Sequence, residues 1–373
     1  MVPSIACGAT GAIIVEGIEN VNPVVAGLPQ RVIVIRDNPP TNLPPRPLDN
    51  DPSADLSVNY VPVGGPAFIP AQIALKPGEK QFWRVLNSSA VTILDLALLF
   101  DNVAQPLEVV ALDGVALGSQ EGTGQGTSRV FTHLLVPTAG RAEFIVTGPA
   151  EGVGRARLVT RAVDTGPAGD PDPLRPLLTI APPPAGEKAA VARRLPAVSG
   201  PPPAPRFADL GAARPAKNRK LFFSEDDTFF YITVAGQTPK PYSMDDPPAI
   251  VTTQGSTEDW TIENRAEENH EFHIHQIHFK LLARDGKTLP AEDQEILDTV
   301  DVPYWSGTGP YPSVKVRMDF RGPDIGDFVY HCHILDHEDA GMMAIIRVLP
   351  RNAGSAKDAK RETASAAKPA RHE

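Results

Sequence analysis

Seven of the nine histidines in this 373-residue chain fall between His270 and His337. They stand in two dense segments, Asn269-His270-Glu271-Phe272-His273-Ile274-His275-Gln276-Ile277-His278 and Tyr330-His331-Cys332-His333-Ile334-Leu335-Asp336-His337, the second followed by Gly341-Met342. Alternate residues of an extended strand share a face, so His273 and His275 point one way, as do His331 and His333, while Cys332 points to the opposite side. Two neighbouring strands can therefore set four imidazoles on one face and a thiolate on the other, enough for two separate metal sites. On the thiolate side His270, Cys332, His337 and Met342 offer two imidazoles, a thiolate and a thioether. Such a His₂Cys set with a weak axial methionine is the donor chemistry of a blue-copper centre, in which soft sulfur suits Cu(I). Zinc is the rival ion, although structural zinc sites are closed by Cys and His at their own loop spacings without methionine. The His331-Cys332-His333 tripeptide also makes Cys332 a short covalent bridge between the two sites. By alternation His278 falls away from His273 and His275 and reads as a supporting or surface residue.

The elements that must position these residues are strands. The chain holds 40 prolines and 30 glycines, which suits many short strands joined by turns and argues against a mostly helical fold. Ala12-Ile13-Ile14-Val15-Glu16-Gly17 and Arg31-Val32-Ile33-Val34-Ile35-Arg36 read as buried strands, with a Pro-rich loop from Asn38 to Pro47. One β-rich region runs to about Ile180 and another from about Lys220 to Leu349. Ala181 to Pro205 carries two Pro-Pro-Pro runs and few large apolar residues, and reads as a stiff linker. The tail after Arg351 has no hydrophobic periodicity and is expected to be disordered. The two β-rich regions repeat each other: Gly78, Trp83 and Asn87 answer Gly255, Trp260 and Asn264 at one constant offset, Asp113-Gly114 answers Asp285-Gly286, and Arg141 to Phe144 answers Arg317 to Phe320. Duplicated modules of about 150 residues are implied, each a β-sandwich or Greek-key barrel. Where the second copy has its histidines the first has Ser88 to Asp95.

Lys and Arg number 35 against 45 Asp and Glu, a formal charge of −10, with no basic cluster in the body of the chain. Nucleic acid and anionic membrane are thereby disfavoured as partners. No run of about eighteen apolar residues is present to span a membrane as a helix. With two cysteines, Cys7 and Cys332, a disulfide scaffold is excluded. Cys7 reads as a small buried apolar residue. Met1 to Ala6 lacks the basic and apolar regions of a secretory signal, and an opening so close to a strand suggests residues missing upstream.

The two histidine segments resemble those of the multicopper oxidases, which include laccases. That family carries His-Pro-x-His-x-His and His-Cys-His-x-x-x-His-x-x-x-x-Met; here they stand as His270-Glu271-Phe272-His273-Ile274-His275 and His331-Cys332-His333 with His337 and Met342, glutamate replacing the proline. The resemblance implies an all-β chain of tandem cupredoxin-like Greek-key β-sandwiches. It assigns 1–36 to the end of a first domain, 37–180 to a copper-free domain, 181–206 to the linker, 207–350 to the copper-binding domain and 351–373 to the tail. It implies type 1 copper on His270, Cys332, His337 and Met342, Met342 being favoured over Met343. Type 2 copper falls to His273, and the type 3 pair to His275, His331 and His333. Asp336 is placed where some bacterial relatives carry an acid near the oxygen site, and is predicted as a proton relay or as a carboxylate that orients an imidazole.

The resemblance further implies oxidation of a small aromatic or other reducing donor, dioxygen as acceptor, and a periplasmic or secreted location. The family's first domain supplies two further His-x-His pairs; His133 and His372 are isolated and cannot replace them. A truncated sequence, a partner chain, or two copies opposing their histidine faces are the expected ways to complete the cluster. The reading of another class is a non-catalytic type 1 copper protein that carries electrons or binds copper.

Overall fold

The structure is a computed structural model that describes residues 9–38, 52, 54–120, 124–183 and 193–351. Expectations for Met1 to Ala6, Cys7, His372, nearly all of the Pro-rich loop and the tail lie outside them. Four sheets build two sandwiches: an eight-stranded and a six-stranded sheet in the first, a seven-stranded and a five-stranded sheet in the second. Each sandwich closes over its own apolar core, Trp83, Phe144 and Leu178 being buried in one and Trp260, Phe272 and Tyr330 in the other. No helix among the described residues is long and apolar enough to cross a membrane.

The duplication is visible bond by bond. Gln30–Asn38 runs parallel to Lys80–Asn87, as Lys217–Glu225 does to Thr257–Asn264. Those partners pair antiparallel with Arg141–Thr147 and Ser313–Asp319 respectively. Both repeat tryptophans are fully buried, and each indole N–H donates to the side chain two residues before it, Trp83 to Gln81 at 3.2 Å and Trp260 to Glu258 at 2.9 Å. Asn87 donates to the carbonyls of Thr92 and Val136, and Asn264 to those of Glu268 and Val302, so each pins the loop after its strand. Asp113-Gly114 and Asp285-Gly286 both turn with positive φ, the geometry of a tight hairpin.

Three expectations are corrected. Ala12 to Glu16 is exposed and unassigned to any strand, Ile13 being 96% accessible; a short apolar run does not name the surface it packs on. The boundary at residue 36 falls inside Gln30–Asn38, which is an integral strand of the first sandwich through its long-range pairing with Lys80–Asn87. The described part of the linker is not free-standing: Leu195 is buried with Val25 and Phe82, and Gln30 N–H donates to the Arg193 carbonyl at 2.8 Å.

Candidate metal centre

The strand His270–Ile274 lies between Thr299–Val302 and Gly326–Cys332. Its register sets His273 opposite His331 and Phe272 opposite Cys332. Because alternation is preserved across this ladder, His270 and Cys332 share the inner face while His273 and His331 share the other. A short helix, Leu335–Asp339, then carries His337 back to the inner side. Backbone bonds from Cys332 N–H to the Met342 carbonyl at 3.0 Å and from Met342 N–H to the His337 carbonyl at 2.9 Å close this loop.

On the inner face three donors converge. His270 Nδ1 and His337 Nδ1 are 3.0 Å apart, and Cys332 Sγ is 3.8 Å from the first and 3.7 Å from the second. His270, Cys332 and Met342 are fully buried and His337 nearly so. Phe230 stacks on His337 with ring centroids 4.2 Å apart and planes 8° from parallel, while Phe223 covers His270 at 5.1 Å. Burial holds both imidazoles below their ordinary pKa and pushes the Cys332 thiol well above its own. Two ring nitrogens and one sulfur that turn toward a common point in an apolar pocket fit a soft cation, which would favour the thiolate and offset its burial. The same donors form a metal-compatible group by distance.

On the outer face His273, His275, His331 and His333 form a cluster, with ring centroids between 5.0 Å (His273–His333) and 5.3 Å (His273–His331). His275 Nε2 and His331 Nε2 are 3.2 Å apart. Second partners fix the other nitrogens: His273 Nδ1 meets the Asp298 carbonyl at 3.0 Å and Thr299 Oγ1 at 2.8 Å, and His331 Nδ1 meets the Cys332 carbonyl at 2.8 Å. Burial first, then mutual repulsion, holds His331 down to about 3; burial likewise holds His333 down to about 4. Neutral imidazoles so oriented are poised as ligands.

Asp336 is exposed on the helix, and partial desolvation of its carboxyl by the surrounding protein, followed by the charges of Asp339 and Asp37, raises its pKa. The neighbouring acid Glu338 reaches an imidazole of the cluster, its Oε2 lying 3.2 Å from His331 Nδ1, and Asp298 Oδ1 lies 3.8 Å from His273 Nδ1. Strand alternation offers no direction for a residue on the helix, which is why the neighbouring acid went unnoticed. His278 Nε2 contacts the Asp113 carbonyl at 3.0 Å, and His133 Nδ1 contacts Asp95 at 2.8 Å.

Two further groups escaped sequence reasoning because they come from distant segments. Glu225 and Glu268 stand behind the inner imidazoles, Glu225 3.6 Å from His270 Nε2 and Glu268 3.4 Å from His337 Nε2. Burial and the hydrogen bond shared with Glu225 push Glu268 up to about 9, whereas Glu225, although partly buried, is held below its ordinary value by its bonds to His270 and Glu268. Second, Arg141 of the first sandwich makes a two-pronged pair with Asp298, one prong at 2.8 Å. Asp113 accepts Asp298 N–H at 3.2 Å and Thr299 N–H at 3.3 Å. This latch therefore stands directly behind His273.

A family model described as multicopper oxidase matches residues 213–352, the segment that contains every donor above. Over 109 residues the chain is 35% identical to multicopper oxidase mco of Staphylococcus haemolyticus, a match covering 28% of this chain and 23% of that protein. Over 93 residues it is 37% identical to a laccase of Haloferax volcanii, covering 24% and 15%. The matches thus span about a quarter or less of the curated relatives. Among solved structures, the McoA multicopper oxidase of Aquifex aeolicus superposes with a TM-score of 0.60 at 19% identity, covering 89% of this chain and 68% of that one. A metallo-oxidase of Campylobacter jejuni gives 0.59 at 21%, covering 86% and 64%. These likenesses show a shared fold, the tandem cupredoxin-like sandwiches expected above. Sequence match, donor set and fold agree in one direction: residues 213–352 are similar to the multicopper oxidases, and the whole described chain shares their fold.

Proposed function

We propose that this chain is the donor-oxidising portion of a laccase-like oxidase, with type 1 copper on His270, Cys332, His337 and Met342. The second set, His273 for type 2 and His275, His331 and His333 for type 3, provides half of an oxygen-reducing cluster whose other ligands come from beyond this sequence. The observation that carries the reading is the convergence of His270 Nδ1, His337 Nδ1 and Cys332 Sγ inside an apolar pocket. Copper bound to these two sets supplies one-electron redox chemistry between a reducing donor and dioxygen. Cys332 joins the sets through its own backbone, being flanked in sequence by His331 and His333. Glu225, held ionised behind the His270 edge, takes the proton of a phenol-like donor, which loses one electron and one proton, while Glu268, which keeps its own proton, hydrogen-bonds to Glu225. Four such events match the four electrons and four protons that convert one dioxygen into two waters. Glu338, 3.2 Å from His331 Nδ1, stands where a proton for that conversion can be delivered.

Copper analysis with electron paramagnetic resonance tests this reading. One blue thiolate signal with about one copper per isolated chain is expected, together with loss of that signal in Cys332→Ser. A colourless protein with copper loading unchanged by Cys332→Ser would refute it.

A further inference from the structure

Glu271 follows directly after His270, and its main chain departs from the ladder around it. Residues 271 and 333 face each other across the antiparallel pair in the hydrogen-bonded position, where both N–H groups are normally exchanged. Only one bond of this rung is made: His333 N–H donates to the Glu271 carbonyl at 3.0 Å. Glu271 N–H turns to Cys332 Sγ at 3.3 Å instead. The His333 carbonyl, its regular acceptor, takes the hydroxyl of Thr138 at 2.6 Å. Thr138 belongs to the first sandwich, in the turn after Leu134–Val136, and is fully buried like Glu271 and Cys332. Its own N–H donates to both carboxyl oxygens of Glu271, at 2.9 and 3.0 Å, and its Oγ1 touches Oε2. A single residue of the donor-free sandwich thus occupies the carbonyl that would otherwise hold the Glu271 N–H and grips the side chain of the same glutamate. A proline at position 271 has no N–H to give.

We infer that Thr138 and Glu271 are positioning residues that hold an N–H dipole on the Cys332 sulfur and thereby tune the metal centre from the neighbouring sandwich. This rests on the thiolate–metal reading above. The positive end of the dipole draws electron density from sulfur, which stabilises the reduced, more negative state of the site and raises its potential.

The test uses the full chain loaded with Co(II), read by its sulfur-to-metal charge-transfer band, and with copper, read by redox titration against a mediator. Thr138→Val removes the hydroxyl, frees the His333 carbonyl and lets Glu271 N–H return to the ladder. Glu271→Pro deletes the N–H outright. Both are expected to move the band to lower energy and to lower the reduced-to-oxidised ratio at a fixed mediator potential by up to about tenfold, equivalent to about 59 mV for one electron. Glu271→Gln keeps the N–H and a two-ended partner for Thr138, and is expected to leave band and ratio at wild-type values. A Thr138→Val protein that binds either metal with an unmoved band and ratio overturns the inference, and decides it alone if Glu271→Pro fails to fold. Absence of any thiolate band in the wild-type chain would instead overturn the thiolate–metal reading.

Discussion

Replacing Arg141 with methionine removes the cation that joins the first sandwich to the strand behind His273. The guanidinium donates to both oxygens of Asp298 and to the carbonyls of Ala139 and Asp113, the latter two each at 3.0 Å. Breaking a buried pair from one side costs about 3–5 kcal/mol. The Arg141 side chain keeps 31% of its exposure, so water replaces part of the loss and the expected penalty is about 2–3 kcal/mol near pH 8. The penalty must depend on pH in a defined direction. Burial and then the Asp298 charge already hold Asp113 up to about 6, with Arg141 opposing them; without the guanidinium it rises further. A carboxyl whose folded pKa exceeds its unfolded value near 3.8 stabilises the fold at low pH and loses that contribution as pH climbs through the folded value. The Arg141→Met protein should therefore recover much of its deficit at pH 5, leaving about 1 kcal/mol. Urea unfolding of metal-free protein at both pH values measures the difference. A deficit of equal size at pH 5 and pH 8, or one under about 0.5 kcal/mol at pH 8, would refute the idea that the guanidinium neutralises two facing buried carboxylates.

Three further outcomes are expected. Burial holds His331 near 3 and His333 near 4 in the fold, against about 6.5 unfolded, so these two imidazoles lose roughly 2–3 kcal/mol of stabilisation per pH unit from pH 6 to 5, opposite in sign to raised carboxyls such as Glu268; the wild-type chain minus a His331→Gln/His333→Gln variant, both metal-free in urea, isolates that slope, and equal slopes in the two proteins would contradict it. Gly148→Ala sets a Cβ 2.0 Å from the Lys76 carbonyl oxygen, remote from every donor; about 2–3 kcal/mol of stability should be lost with copper stoichiometry intact, checked by thermal melting and metal analysis. Asp37→Ala deletes the buried carboxylate that accepts Ala90 N–H at 2.7 Å, Val91 N–H at 2.9 Å and the Thr92 hydroxyl at 2.6 Å; about 3 kcal/mol should be lost, and because Ala90 in turn accepts Leu335 N–H, copper transfer to a chelator should quicken.

Much of the site was legible because it depends on short-range rules. Two-residue alternation placed His273 with His275 and His331 with His333, and the actual ladder keeps Cys332 beside Phe272 on the reverse face. The repeat was legible for the same reason: tryptophan, asparagine and Asp-Gly occur where a buried indole, a loop-pinning amide and a tight turn each demand one residue type. What escaped was long-range. Glu225 meets His270 across 45 positions, Arg141 meets Asp298 across 157, and Thr138 meets Glu271 across 133. No local pattern distinguishes such a glutamate or threonine from a solvated one. Gln30–Asn38 went to the wrong domain because a parallel pairing leaves no mark in the strand itself.

The first sandwich holds a structural clue to its own role. Where the second copy threads His270–Ile274, the first threads Leu94–Phe100, whose Leu94, Leu96 and Leu98 are buried in the core. This strand carries neither histidine nor cysteine, and its inward positions are filled by hydrocarbon. Yet the loop before it remains tightly organised: the Asp37 carboxylate gathers Ala90, Val91 and Thr92, and Ala90 receives the first N–H of the helix that carries His337. On the other side of the same contact, Thr138 and Arg141 leave one turn and reach Glu271 and Asp298, which support the inner and outer donor sets respectively. Three contacts from the first sandwich thus reach three different supports of the candidate donors in the second. Geometry at the metal centre is then a property of the interface between the two sandwiches: substitutions at Asp37, Thr138 or Arg141 should disturb the donors more than equally buried substitutions within the first core.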